Sequence, residues 1–247
     1  MNKNNKNNKN NNHKKNNTNN DHGNHIKNNI NINKSLSESN LFSSIFRNNN
    51  YNLNLVLDLD NTIIYTTIFD KKTDKDLIQQ ILYIHDPDLL TMFTDEYSYY
   101  FVYKRPYLDN FISIMSNNFN IYIYTNGLKS YCNEIVKGLK KNYPYLIISD
   151  IMYRTLPTDS ETKKLNKLSV LTLDNNYEKK TIIIDDRADV WFYNTRNLLL
   201  IEPYYKKTTA YRTITDKHLL YICFKLLKLK LLYKNNMDIR ELVIKNN

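Results

Sequence analysis

Residues 51–212 of this 247-residue chain predict an α/β fold: a three-layer sandwich around a mainly parallel central sheet, with an insertion after its first strand. Three observations carry that reading. Short β-rich runs alternate with helix-like segments, the order expected of βαβ units. The runs NIYIYT (120–125) and TIIID (181–185) are near-continuously apolar, as strands covered on both faces must be. Polar clusters stand where three of the strands end.

The first strand is LNLVLDLD (53–60). Residues 66–97 break the rhythm and read as an insertion over one end of the sheet, with a helix at 74–84. SYYFVYK (98–104) is the second strand, followed at once by Arg105-Pro106. Within 107–118, Leu108, Phe111, Ile112 and Met115 fall at helical spacing, and Tyr131, Ile135 and Leu139 do the same within 128–142. NIYIYTNG (120–127), YLIISDIMY (145–153), TIIIDD (181–186) and NLLLIEP (197–203) are the third to sixth strands. LNKLSVLTL (165–173) and 215–234 are further helices. The latter, in an appended segment 213–247, is amphipathic and reads as packed on the sheet with its lysines solvated.

Residues 1–50 have a different composition: 21 Asn, seven Lys and one Arg against Asp21 and Glu38. That is +6 of the net +10, leaving about +4 for the rest. Such a segment buries too little apolar surface to fold and reads as a disordered, solvated tail. Attraction to nucleic acid is confined to it. The 21 tyrosines are scattered through strands and helices, which favours a β-rich core over base stacking. Cys132 and Cys223 have no metal-type spacing and make no disulfide framework, so a reducing, intracellular compartment is expected, nucleus or cytoplasm. No apolar leader opens the chain, and the apolar stretch 219–233 carries Lys225, Lys228 and Lys230, too charged for a bilayer. A monomer without membrane attachment is the expectation.

In open parallel sheets, ligands bind beyond the carboxyl ends of the strands. Asp58-Leu59-Asp60-Asn61-Thr62 ends the first strand, Thr125-Asn126-Gly127 the third and Asp185-Asp186-Arg187 the fifth. Taken singly, each reads as a cap, a turn or, for Arg187 with Asp189, a weak surface pair. Together they make a site. Asp58 and Asp60 lie on one face of an extended chain, where like charges repel. A hard divalent cation such as Mg2+ offsets that repulsion, held by Asp58, Asp186 and the Asp60 main-chain carbonyl. Asp58 can then attack phosphorus, Asp60 can protonate the leaving oxygen and later activate water, and Thr125 can donate to a phosphate oxygen. Trp191 reads as core packing, His85 as a loop residue and Cys132 as a small buried group.

DLDNT (58–62), TNG (125–127) and IIIDDR (182–187) resemble, in this order, the motifs of the haloacid dehalogenase superfamily, and KRPYLDNF (104–111), IYTNG (123–127), DDRADVW (185–191) and NLLLIEPYY (197–205) narrow the likeness. Within it they are similar to the FCP-type phosphatases, which remove phosphate from the C-terminal repeat domain of RNA polymerase II. DDR-x-DVW points to that branch; the smaller phosphatases tend to read DNSP there. The resemblance spans Leu53 to Tyr205 and implies a Rossmann-like fold. It also implies a Mg2+-dependent phosphoserine/phosphothreonine phosphatase acting through an aspartyl-phosphate.

By that resemblance Asp58 is the nucleophile, Asp60 the general acid/base and Thr125 the phosphate-binding hydroxyl. Asp58, Asp60, Asp185 and Asp186 form the metal set. Thr62, Asn126 and Arg105 face the substrate or order the adjoining loop. The family's third-motif lysine falls at Lys167 with Leu168-Ser169 and Leu171 as the register; Lys163 and Lys164 are the alternatives. Asn61 stands where the family usually has Glu, and Tyr107 where it has Gly. No BRCT-like region follows residue 205, so docking on a phosphorylated peptide is expected to use the tail, the insertion or the terminal helix. Two other readings stay open: a phosphatase for small phosphates or nucleic-acid ends, and an inactive scaffold. The intact Asp58/Asp60 pair argues against the scaffold.

Overall fold

A computed structural model of the chain describes residues 52–84, 86–154, 167–173, 175–206, 216–234 and 237–246. Its larger sheet has the order β6 (Ile148–Arg154), β5 (Asn120–Leu128), β1 (Asn54–Leu57), β7 (Thr181–Asp185), β8 (Leu198–Leu200). All four pairings are parallel. β1 sits at the centre with every residue buried. Its Leu57 is level with Ile123 on one side and Ile184 on the other. Beyond that level β1 and β7 stop while β5 runs on to Leu128, and the register sets Asp58, Thr125 and Asp185 along one edge.

Alternation along β1 divides the core. Leu55 and Leu57 face a cluster with Ile121, Ile123, Ile182 and Ile184. That cluster is covered by helices Leu108–Ser116, Lys129–Asn142, His218–Leu232 and Ile239–Asn246, through residues such as Phe111, Ile135, Leu226 and Val243. Val56 faces the other way, onto Tyr122, Tyr124, Ile183, Leu168, Leu171, Val190 and Trp191. Each fully buried aliphatic side chain contributes about 1.5–3 kcal/mol. The mainly parallel sheet with flanking helices is the fold class expected from the sequence.

The insertion is more ordered than expected. β2 (Ile64–Asp70), β3 (Leu89–Thr94) and β4 (Ser98–Lys104) form an antiparallel sheet of order β2-β4-β3, with Ile64 opposite Lys104 and Asp70 opposite Ser98. SYYFVYK, read as a strand of the main sheet, belongs here instead. Its neighbours IYTTIFD and LLTMFT carry the β-branched and aromatic residues that favour strands, and they capture it locally. The insertion helix forms at Lys75–Tyr83, close to the expected 74–84.

β3 lies against helix Lys129–Asn142 at Gly138, where an added Cβ would stand 2.7 Å from Thr91 Cβ. Glycine is what lets the two backbones approach there. Within 165–173, the described residues hold one 3-10 turn, Leu168–Val170, rather than a helix. The last lysine of helix His218–Leu232 is not solvated: Lys230 is buried and its Nζ donates to Asn118 O at 2.6 Å.

Candidate active site

Asp58 follows β1 directly, and its N–H donates to Ile184 O at 3.0 Å, continuing the ladder one residue past the strand. The chain then folds into a tight turn. The N–H groups of Thr62, Ile63 and Ile64 converge on Leu59 O at 3.3, 3.0 and 3.1 Å. Asn61 takes a left-handed conformation with φ 61°, which asparagine tolerates better than most residues. The turn places the buried Thr62 hydroxyl where it donates to Asp186 Oδ1 at 3.2 Å and accepts from Asp186 N–H at 3.1 Å. The ends of β1 and β7 are thereby tied together.

Asp58, Asp185 and Asp186 each offer an oxygen within 4.8 Å of the others. Burial, then the neighbouring Asp185, holds the Asp58 carboxyl well above the ordinary carboxylate range. Burial pushes Asp185 up to about 6, against the pull of its two hydrogen bonds. Those come from Trp191 Nε1 at 2.6 Å and Arg187 N–H at 2.8 Å. Trp191 is fully buried, as core packing requires, and its indole also orients this carboxylate. Burial also raises Asp186, opposed by Thr62, Arg187 and Arg105. Three crowded, partly desolvated carboxylates are an unfavourable arrangement that a divalent cation relieves, so the donor set fits Mg2+.

Asp60 is built differently. Its Oδ1 accepts from Thr66 Oγ1 at 3.1 Å and, over a short contact, from Tyr131 Oη. Thr66 and Tyr131 hydroxyls meet at 2.6 Å. Burial raises the Asp60 carboxyl while the two hydroxyls pull it down. Tyr131 itself is raised by burial, then by Asp60, so it stays protonated and donates. Sequence reasoning placed Tyr131 on an apolar helix face and missed this role; the available signal was its position four residues after Gly127. A Cβ on Gly127 would meet Tyr131 Cδ1 at 2.7 Å and Thr125 Oγ1 at 3.3 Å. Gly127 N–H donates to the buried Thr125 hydroxyl at 3.0 Å, and Asn126 is exposed beside it.

A family model described as "NLI interacting factor-like phosphatase" matches residues 53–240. The chain belongs to that family. The CTD phosphatase-like protein 355R of Invertebrate iridescent virus 6 is 29% identical over 163 residues, covering 62% of this chain and 86% of the viral protein. The RNA polymerase II C-terminal domain phosphatase-like 4 of Arabidopsis thaliana is 27% identical over 175 residues, covering 67% of this chain but 37% of that protein. An RNA polymerase II C-terminal domain phosphatase of Caenorhabditis elegans is 29% identical over 174 residues, 69% of this chain and 23% of that protein. The chain thus spans most of the viral relative and well under half of the two longer ones.

In this NLI interacting factor-like phosphatase domain, the remaining expected residues take other places. Arg105 is buried, with Nη1 on Thr62 O at 2.9 Å and Asn61 O at 3.4 Å, Nη2 on Glu202 O at 2.7 Å and Nε on Asp216 Oδ2 at 3.1 Å. Its donors tie the turn, at Asn61 and Thr62, to Glu202 and Asp216. Lys167 is exposed, with Nζ 4.4 Å from the Tyr193 ring centroid, and makes no ion pair with the acid cluster among the described residues. Lys163, Lys164 and His85 lie outside the described residues. Arg154 stands one residue past the expected fourth strand, 145–153. It ends β6 opposite Leu128 of β5, and its buried Nε has no hydrogen-bond partner among the described residues.

Proposed function

We propose that this domain is a Mg2+-dependent phosphoserine/phosphothreonine protein phosphatase acting through an aspartyl-phosphate on Asp58. The observation that carries the reading is the convergence of Asp58, Asp185 and Asp186 within 4.8 Å, with Asp60 held alongside by Tyr131 and Thr66. Asp58 and Asp186, with Asp185 behind them and the Asp60 carbonyl, would hold the ion. Bound there, Mg2+ shields the negative charge of nucleophile and phosphate.

The chain's own residues then divide the work. Ionised Asp58 attacks phosphorus as the phosphorus–oxygen bond to the substrate side chain breaks. Asp60, whose carboxyl is raised by burial, gives its proton to the departing oxygen. In the second half, water attacks phosphorus, Asp60 takes the water's proton, and Asp58 is released. The Thr125 hydroxyl and the Arg154 guanidinium, whose Nε has no partner among the described residues, suit the phosphate oxygens. Lys163, Lys164 and Lys167 remain the candidates for the third-motif lysine. Lys167 serves only by leaving the Tyr193 ring, a contact worth about 0.5–1 kcal/mol at an exposed site.

The substrate proposed is the phosphorylated C-terminal repeat of RNA polymerase II, which the names of the Arabidopsis and nematode relatives support. That substrate places the activity in the nucleus. Phe93 and Tyr100 stack at 4.7 Å and meet Tyr131 edge-on or tilted at 5.8 and 6.1 Å, an aromatic wall beside Asp60 that suits an extended peptide. The deciding experiment is phosphate release from phosphorylated heptad peptides with and without Mg2+, beside Asp58→Asn. Mg2+-dependent release lost in the variant is expected. Preferred turnover of nucleotides or oligonucleotide ends would replace the substrate assignment.

A further inference from the structure

We propose that Asp216, outside every motif recognised in the sequence, is a positioning residue for the catalytic turn and acts through Arg105; the proposal rests on the phosphatase reading above. Arg105 carries its charge at 1% exposure. A cation buried so deeply needs a counter-ion and a full set of acceptors. Asp216 supplies the counter-ion: its Oδ2 lies 3.1 Å from Nε and 3.0 Å from Nη2. The other oxygen, Oδ1, accepts from His218 N–H at 3.0 Å, at the start of helix His218–Leu232, and lies 3.2 Å from His218 Nδ1. One carboxylate thus clamps the beginning of that helix to Arg105.

From Arg105 the connection continues inward. Nη1 holds the carbonyls of Asn61 and Thr62, and Thr62 exchanges two hydrogen bonds with Asp186. Asp216 therefore stands three residues from a metal-set carboxylate along an unbroken chain of contacts. Charge adds a second effect. The Arg105 charge lies two hydrogen-bonded steps from Asp186, through Thr62. With Asp216 in place, Arg105 is neutralised and held on the carbonyls. Without it, the freed guanidinium is drawn toward the acid cluster, where it competes with the cation and loosens the turn. Asp216 touches no reacting atom in this scheme; it keeps Arg105 from becoming the cluster's counter-ion.

The test compares Asp216→Asn and Asp216→Ala with the parent full-length chain. Two readouts are used: kcat and KM on a phosphorylated heptad peptide, and the Mg2+-induced shift in melting temperature without substrate. Loss of a partner behind a metal ligand costs about 10–100-fold in activity or metal affinity. Asp216→Ala is expected to lower kcat and raise the Mg2+ midpoint in that range, with KM moving less than about threefold. Asp216→Asn keeps the shape and loses the charge, so it falls in between, and Asp216→Glu recovers part of the loss.

Arg240→Ala is the control for destabilisation alone. It breaks pairs with Asp238 and Glu178, neither of which the turn uses. A folded Asp216→Asn with parental kcat and Mg2+ midpoint overturns the proposal, and so does an equal kcat loss in Arg240→Ala at matched melting temperature. Asp58→Asn, run alongside, separates the two claims. If it keeps turnover, Asp58 falls as the nucleophile, and the Mg2+ melting shift of Asp216→Asn still decides: unchanged overturns the positioning role, diminished supports it.

Discussion

The two sheets of this domain are built on opposite principles. In the parallel sheet, β1 and β7 are buried at every position, and neighbouring strands hold each residue in register. A carboxylate placed one residue past such a strand has little freedom, which is why Asp58, Asp185 and Asp186 converge. In the antiparallel sheet, β2 and β3 are mostly half-exposed and lean on the rest through a few contacts, such as Thr91 against Gly138. This sheet contributes Thr66 and the Phe93–Tyr100 stack, and with Tyr131 of helix Lys129–Asn142 they surround Asp60. The rigid sheet sets where charges meet, and the exposed one tunes the proton carrier and the approach to it.

That contrast breaks most directly at Asp58. Asp58→Asn is expected to cut turnover by at least about 10³-fold while the melting temperature holds or rises, since an ionisable group leaves a crowded site. Turnover on a small aryl phosphate, read beside circular dichroism, checks it.

Asp60→Asn is expected to cost about 10²–10⁴-fold. Tyr131→Phe sharpens the point. Removing a hydroxyl that holds the Asp60 carboxyl down lets it rise further, so the limb of the pH–rate profile that Asp60 controls moves to higher pH. An unmoved limb would detach Asp60 from that limb.

Stability measures the parallel-sheet cluster from another side. Asp185 titrates near 6 in the fold, above the ordinary 3.8, so the native state binds more protons than the unfolded chain between those values. The sign follows: its contribution is fully present below 3.8 and is lost as pH rises through about 6. Without divalent ions, stability is expected to decline over that window, and millimolar Mg2+ to flatten the decline. Denaturant titrations at pH 4.5 and 7 with and without Mg2+ test it; parallel curves would argue against metal at this cluster.

Gly138→Ala probes how the second sheet is seated. The new methyl meets Thr91 at 2.7 Å, and the overpacking cost of about 1–3 kcal/mol outweighs the helix-propensity gain of up to about 1 kcal/mol. Denaturant midpoint is the measurement, and Thr91→Gly in the same chain is expected to restore it. Asp189→Ala marks the small end of the scale. Its exposed pair with Arg187, at 2.9 Å, is worth less than about 1 kcal/mol.

Much of this was legible in the chain itself. The apolar runs at 53–60, 120–127 and 181–186 became β1, β5 and β7, because a strand buried on both faces must be apolar at successive positions. DLDNT and DDR lie at strand ends whatever the rest of the fold does. Tyr107 is an instructive case: the family's usual glycine suits the left-handed backbone found there, φ 68°, and tyrosine holds it at a cost of about 1–2 kcal/mol.

What periodicity conveys is which face of a local segment avoids water, and with it the order of strands and the residues at their tips. It carries nothing about which polar atoms meet after the chain has closed on itself. The Tyr131 hydroxyl reaches Asp60 across 71 residues of sequence, and Arg105 finds Asp216 across 111. Each of these pairings depends on loop closure and packing at a distance, so only the folded molecule decided them.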